Sequence, residues 1–492
     1  MATDAASLQA ASPRTDRLVR ATPFFYGWVL LGVAMVAQYM TSPGQTYGVA
    51  LFTKHLTTML ATQRFEQAHP GAEIALTKEL IDAEFLTVTS AYLWGTILAA
   101  LPIPWVGALA DRWGLRKTMT LIVGLFGLAC IFMAQVRGPY TLFVGFVALR
   151  ALGQGSLTLL ATNTADMWFH RKLGFANGIR NLSSPIAFAT FPIITIALIN
   201  YYGWQWAYVW LGIAVWAVMF PILHFVFRNH PEEIGQLPDG DIRPVRAAGE
   251  PEDTPLPFLL PQLTLSEAFG TRAFWITVSM MTMWGMIGTA LMFMVVPYME
   301  IRGLREEDAQ VIFITMAVSM AFCQFFGGIV ADYVKLNYLL VMGALGLAIG
   351  VLVFLCIDSL WMAGLYGIAF GVAQGISAAG SNSLFARYYG RAHLGKIKGF
   401  LMMSVVAGSA AGPYLLTKGK DLFGSYDQVL WMFATMLLAQ AVACFFATPP
   451  AARREVAEPN SQPHLPNVTH GTASFTGTPA GDQPQRTVQT AD

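Results

Sequence analysis

Twelve times along this chain, a long apolar run passes with almost no ionised side chain. A run of 18 or more such residues is long enough to cross a hydrocarbon core of about 30 Å as a helix of about 20 residues. In lipid, a backbone must satisfy its own polar groups, so each run is read as a membrane-spanning helix. Composition agrees: 55% of the 492 residues are hydrophobic and 12% are charged, against about 25% charged in a soluble protein. The chain is expected to be an all-α, polytopic membrane protein.

The first six spans run roughly over 26–52, 84–107, 118–136, 139–164, 174–199 and 204–227. The second six run over 273–299, 308–331, 337–357, 360–386, 397–417 and 427–448. This divides the chain into an N-terminal segment (1–25), a six-helix bundle (26–227) and a central loop rich in Pro and charge (228–271). A second six-helix bundle (272–448) and a tail (449–492) rich in Pro, Thr and Gln complete it, and that tail composition predicts disorder. With both termini inside, 20 of the 30 Lys and Arg residues fall in or at the mouth of cytosolic segments, counting Lys398 at the start of the eleventh span, and 8 in outer loops, leaving Arg150 and Arg180 deeper in the membrane. That bias places both termini in the cytosol of a cell that carries the protein in its plasma or inner membrane.

The halves repeat at a constant offset of 221 residues. Gly107-Ala-Leu-Ala-Asp111 falls on Gly328-Ile-Val-Ala-Asp332, Gly174 and Gly178 on Gly395 and Gly399, Pro192 on Pro413, and Gly203 on Gly424. Parallel six-helix repeats place a site at the midplane, between halves that rock against each other.

Gly107-Ala-Leu-Ala-Asp111-Arg112-Trp-Gly114-Leu-Arg116-Lys117 resembles the loop motif of the major facilitator superfamily, and Asp332 marks its degraded second copy. Glycines there let two helices approach closely, and Asp111 can pair with a helix N-terminus or an arginine in one state only. Gly107, Asp111, Arg112, Gly114, Arg116 and Asp332 are therefore the expected gating residues. Phe25-Tyr26-Gly27-Trp28, Arg150-Ala-Leu-Gly153-Gln-Gly155, Trp168-Phe169, Gly203-Trp204 and the Arg228–Gly240 stretch are similar to the oxalate:formate antiporter and monocarboxylate transporter families. Those relatives usually carry a cation in the eighth helix, and some carry one in the eleventh. Neither of those spans shows a mid-membrane cation here, so the resemblance does not carry a substrate over.

Charge at the bilayer centre costs about 2.5–3.5 kcal/mol or more and marks function by default. Arg150 stands eleven residues past Pro139, about 17 Å deep at 1.5 Å per residue. Gln154, Thr158 and Thr162 continue its helical face. Arg180 lies eight residues past Lys172, about 12 Å in, with Asn177, Asn181 and Ser184 beside it. Gln38 in the first span and Gln374 and Asn382 in the tenth extend the polar lining. No Asp, Glu or His falls in the middle third of any span; Asp166 is read as an inner-end acid. Two arginines without a matching acid point to an anionic solute.

The expected function is a secondary active carrier for a small organic anion, a mono- or dicarboxylate, with exchange or proton coupling. Arg150 binds the carboxylate, Arg180 assists, and Gln154, Asn181, Gln38, Gln374 and Asn382 orient the rest. The competing reading is a neutral or amphiphilic solute with Arg150 bonded to backbone carbonyls; a non-transporting membrane sensor is the remote one. With no nucleophile–base pair, metal-ligand cluster or phosphate loop, neither enzyme activity, a cofactor nor a metal is expected. A net charge of +1 gives no basic face for nucleic acid. The expected partners are the anion, the bilayer and, for coupling, protons; a monomer is expected.

Overall fold

A computed structural model of the chain describes residues 19, 22–70, 77–240, 262–305 and 308–450. Most of the N-terminal segment, part of the central loop and the tail from 451 onward lie outside the described residues. The described part is almost wholly helical, with no strand.

The first span is broken. Helices α1 (Gly27–Met40) and α2 (Thr46–Ala68) flank a tight turn at Ser42–Gly44. Pro43 cannot donate an N–H to the ladder, and the Thr41 and Ser42 hydroxyls turn back to the carbonyls of Gln38 and Tyr39. Expected to end near residue 52, the span instead runs on to Ala68. The second span joins α3 (Lys78–Ala100) to α4 (Ile103–Trp113) at Pro102, and α5 (Leu115–Met133) is the third. The fourth runs from α6 (Pro139–Leu149) through a π-helical stretch, Arg150–Leu157, into α7 (Thr158–Trp168). Next come α8 (Leu173–Asn181) and α9 (Ser183–Pro221), which holds the fifth and sixth spans on either side of Gly203. Gly203 adopts φ 81°, a backbone that L side chains rarely take, and so reverses the chain there.

After the short α10 (Leu265–Phe269), the second half has unbroken spans. They are α11 (Arg272–Ile301), α12 (Ala309–Tyr333), α13 (Leu336–Leu355), α14 (Leu360–Tyr389), α15 (Leu394–Phe423) and α16 (Tyr426–Cys444). Ten helical stretches among the described residues are long and apolar enough to cross a membrane. One of them contains the Gly203 reversal, and the broken first helix is not among them, so the chain makes twelve traverses. Exposed apolar side chains ring the outside, including Trp105, Tyr140, Trp206 and Trp361, as lipid contact requires.

One apolar core runs through the first half and continues into the second only at the end that carries residues 228–240, through Phe274, Leu339, Tyr389 and Ile397. That end is termed the connector face. Toward the far face, the second half has a core of its own, built on Leu291, Tyr298, Phe354 and Phe433. Far-face ion pairs also stay within a half: Arg64 with Glu84, and Arg302 with Asp427. The halves therefore share their packing at the connector face, and the core of the second half toward the far face is built from that half alone among the described residues.

Candidate functional site

Two aspartates at the connector face cross between the halves. The Asp111 carboxylate accepts from the backbone N–H groups of Gly395 and Lys396, both at 2.8 Å, at the start of α15. Asp332 accepts from Gly174 at 2.7 Å and Phe175 at 2.9 Å, at the start of α8. Free N–H groups and the positive end of the helix dipole make each helix start a carboxylate site. The helices can come this close because Gly107 lies against the Gly395 backbone and Gly174 against that of Gly328, with no room for a Cβ. Each half thus caps the other half's equivalent helix, in keeping with the 221-residue repeat. Asp332 carries an additional ion pair to Arg387 at 2.5 Å.

Further contacts seal the same face. Arg391 donates to the Met167 carbonyl at 2.6 Å and pairs with Glu232 at 2.9 Å. Asp239 of the connector accepts from the N–H groups of His170, Arg171 and Lys172. His170 is half-buried; desolvation, opposed by Asp239 and then reinforced by Arg387, Arg391 and Arg171, keeps its imidazole below its ordinary range.

Deeper in, a buried polar cluster spans the halves. The Asp166 carboxylate on α7 pairs with Lys398 on α15 and accepts from Asn177 Nδ2 at 3.1 Å. Asn177 Oδ1 in turn accepts from Arg180 Nε at 3.1 Å. The Arg180 Nη2 donates to Asn181 at 2.7 Å, and its Nη1 reaches Gln38 at 3.5 Å. Lys398 also donates to the Asn382 carbonyl. Asp166 and Asn177 are 0% exposed, Arg180 3% and Lys398 4%. Above this cluster, Ile103 and Leu159 of the first half pack on Val406 of α15.

A family model described as Major Facilitator Superfamily matches residues 25–321 and 289–477. The chain belongs to the major facilitator superfamily. Among solved structures, superfamily likeness extends to the human organic anion transporter MFSD10 (TETRAN), with a TM-score of 0.63 and 14% identity over 85% of this chain and 99% of that one. An uncharacterized MFS-type transporter of Bacillus subtilis, YfiU, is 28% identical over 172 residues, 32% of this chain. The match spans about a third of that relative's length.

Within this superfamily frame, the expected site residues separate into groups. Arg180, Asn181, Gln38 and the Asn382 carbonyl meet in the buried cluster. Arg150 does not join them. Its Nε donates to Thr96 and its Nη1 to the Gly44 carbonyl and Thr46, each at 3.2 Å, with the guanidinium 5.0 Å above the Tyr92 ring. The chain break at Ser42–Gly44 frees the carbonyl that Arg150 takes, and the π-helical widening of the fourth span begins at Arg150 itself. Gln154 and Gln374 each keep a buried amide oxygen with no partner among the described residues, as does the Asn181 amide nitrogen.

Among the residues expected to gate, Arg112 lies exposed and Gly114 forms the turn into α5 at φ 83°. Arg116 acts within one half. Its side chain donates to the carbonyls of Leu223 and His224, and its N–H to Asn229, tying the third span to the end of the sixth.

Two members of the cluster run against the sequence expectation. Asp166 is fully buried rather than a solvated end acid, so Arg180 does have an acid nearby, and the eleventh span does bring a buried cation, Lys398. A sequence signal existed: at the 221-residue offset Asn177 falls on Lys398 and Asp166 on Arg387, so charge is redistributed between otherwise matching positions.

Proposed function

We propose that the chain is a secondary carrier for a small organic anion, moved by alternating closure of the two halves at the two faces. The observation that carries this reading is Arg180. Its guanidinium is buried, its described bonds are to amide oxygens only, and the nearby acid, Asp166, is engaged by Lys398. Two cations to one acid leave a net positive centre in low dielectric, which an anion relieves. The unpartnered amide nitrogen of Asn181 offers the same anion a donor. The anion's ligand is therefore Arg180, and Arg150 takes the fixed, carbonyl-bonded role. The human neighbour is titled an organic anion transporter; at 14% identity it supports the fold, and the substrate class rests on Arg180.

Lys and Arg bias places the connector face in the cytosol. The conformer described is then the one closed to the cytosol, with the Asp111 and Asp332 contacts as its latches. Opening inward requires both to part, because each joins the two halves.

Thermal stabilisation of the purified, detergent-solubilised protein by formate, lactate, oxalate and succinate tests the reading, with glucose and a hydrophobic amine alongside. A carboxylate-induced shift that survives in Arg150→Lys and disappears in Arg180→Gln is expected. Shifts with glucose or the amine alone refute the anion and favour the neutral or amphiphilic solute.

A further inference from the structure

The link between Asp166 and Lys398 has a property that neither latch shares: it ends on the residue network that holds Arg180. Within the first half, Asn177 stands between the two, donating to the Asp166 carboxylate and accepting from the Arg180 guanidinium. One amide side chain therefore separates an acid and a base on adjacent helices, α7 and α8. Lys398 is the sole contribution of the second half to the Asp166 carboxylate among the described contacts. It is anchored on its own side by the Asn382 carbonyl.

We infer that Asp166 is a release switch that competes with the transported anion for Arg180, and that Lys398 holds this switch off while the connector face is closed. The inference rests on the anion reading above. With the halves together, Lys398 neutralises Asp166, Arg180 is left to neutral amides, and an anion entering from the far face meets an available guanidinium. When the halves part at the connector face, Lys398 moves away with α15. A buried carboxylate stripped of its cation is strongly unfavourable, and Arg180 is the neighbouring replacement. Rotation of the Asn177 side chain lets the two meet, and the anion loses its ligand at the moment its exit opens. The same exchange runs backward on reloading. By linkage, a bound anion must favour the conformer closed at the connector face.

The competition makes a non-additive prediction. In Lys398→Gln the switch is always on, and apparent affinity for the best-binding member of formate, lactate, oxalate and succinate falls at least tenfold in the thermal-shift titration. In Asp166→Asn the competitor is gone, and affinity stays within threefold of wild type or improves while exchange in liposomes slows. The double variant Asp166→Asn/Lys398→Gln regains the affinity of Asp166→Asn within threefold, because a missing competitor needs no restraint. A double variant as weak as Lys398→Gln overturns the inference, since Lys398 would then touch the anion itself. A tenfold loss in Asp166→Asn alone overturns it as well. Should Lys398→Gln not fold, the comparison of Asp166→Asn with the double variant still decides: equal affinities support the switch and a tenfold gap refutes it. A wild type that responds to none of the four carboxylates removes the anion reading itself, a failure distinct from any pattern among the variants.

Discussion

Asp332→Asn isolates the closing force at the connector face. The carboxylate accepts two backbone N–H bonds at the start of α8 and pairs with Arg387. Bonds to a charged acceptor contribute about 1.5–3 kcal/mol each and neutral ones about 1 kcal/mol. Asparagine keeps one oxygen as an uncharged acceptor and turns its amide nitrogen toward a second donor. The closed conformer therefore loses at least about 2 kcal/mol that the open one never had, shifting the equilibrium roughly 30-fold toward opening. Asp111→Asn removes the equivalent pair of bonds between the halves, and because the Asp332–Arg387 pair lies within the second half and is common to both conformers, the two variants shift the equilibrium alike. Spin labels at exposed Trp113 and Tyr333, one on each half, report the change by pulsed electron resonance. The longer, open-face distance population is expected to grow over wild type in both Asp111→Asn and Asp332→Asn, to a similar extent. An unchanged distribution in Asp332→Asn refutes the argument that these carboxylates latch the halves.

Three further outcomes follow from the geometry. Gly395→Val places a side chain where the Gly107 carbonyl already lies, so the same labels should show the connector face held open. Arg150→Lys gives up the forked bonding to Thr96, Gly44 and Thr46 and should lower stability by about 2 kcal/mol, measured as a lower melting temperature with the carboxylate-induced shift intact. His170 is held below its ordinary value of 6.5 in the closed form, and opening restores that value. The open form then binds more protons, so the closed form is favoured above pH 6.5 and loses ground as pH falls below it. Distance distributions at pH 7.5 and 5.5 should differ in wild type and agree in His170→Gln.

The spans were legible because lipid leaves the backbone no alternative to helix, and charge-free runs mark where lipid lies. Their ends were not. Lys54, Arg64 and Glu66 terminate the apolar run yet ride on the helix that continues to Ala68, and Glu84 lies inside α3, paired with Arg64. The break at Ser42–Gly44 carried its Pro-Gly signal openly, but an apolar window reads straight through a three-residue turn. Asp111 and Asp332 stood out because a repeat at fixed offset separates them from background. Asp166 and Lys398 did not, since charges one or two turns inside a helix end match what a positive-inside loop supplies. Only closure of two halves 232 residues apart in sequence turns that pair into a buried contact. Arg150 and Arg180 looked alike by depth, and what sets Arg150 apart is its partners from α2, α3 and the broken first span.

The shared core at the connector face has a thermodynamic consequence. Phe274, Leu339, Tyr389 and Ile397 are continuous there with the packing of the first half, so opening that face exposes apolar surface much as a partial unfolding does. Such exposure carries a positive heat-capacity change, and a free-energy difference with that signature bends with temperature. In a carrier that closes its far face as the connector face opens, the balance between the two conformers bends with temperature according to the difference between the apolar area exposed at one face and that buried at the other.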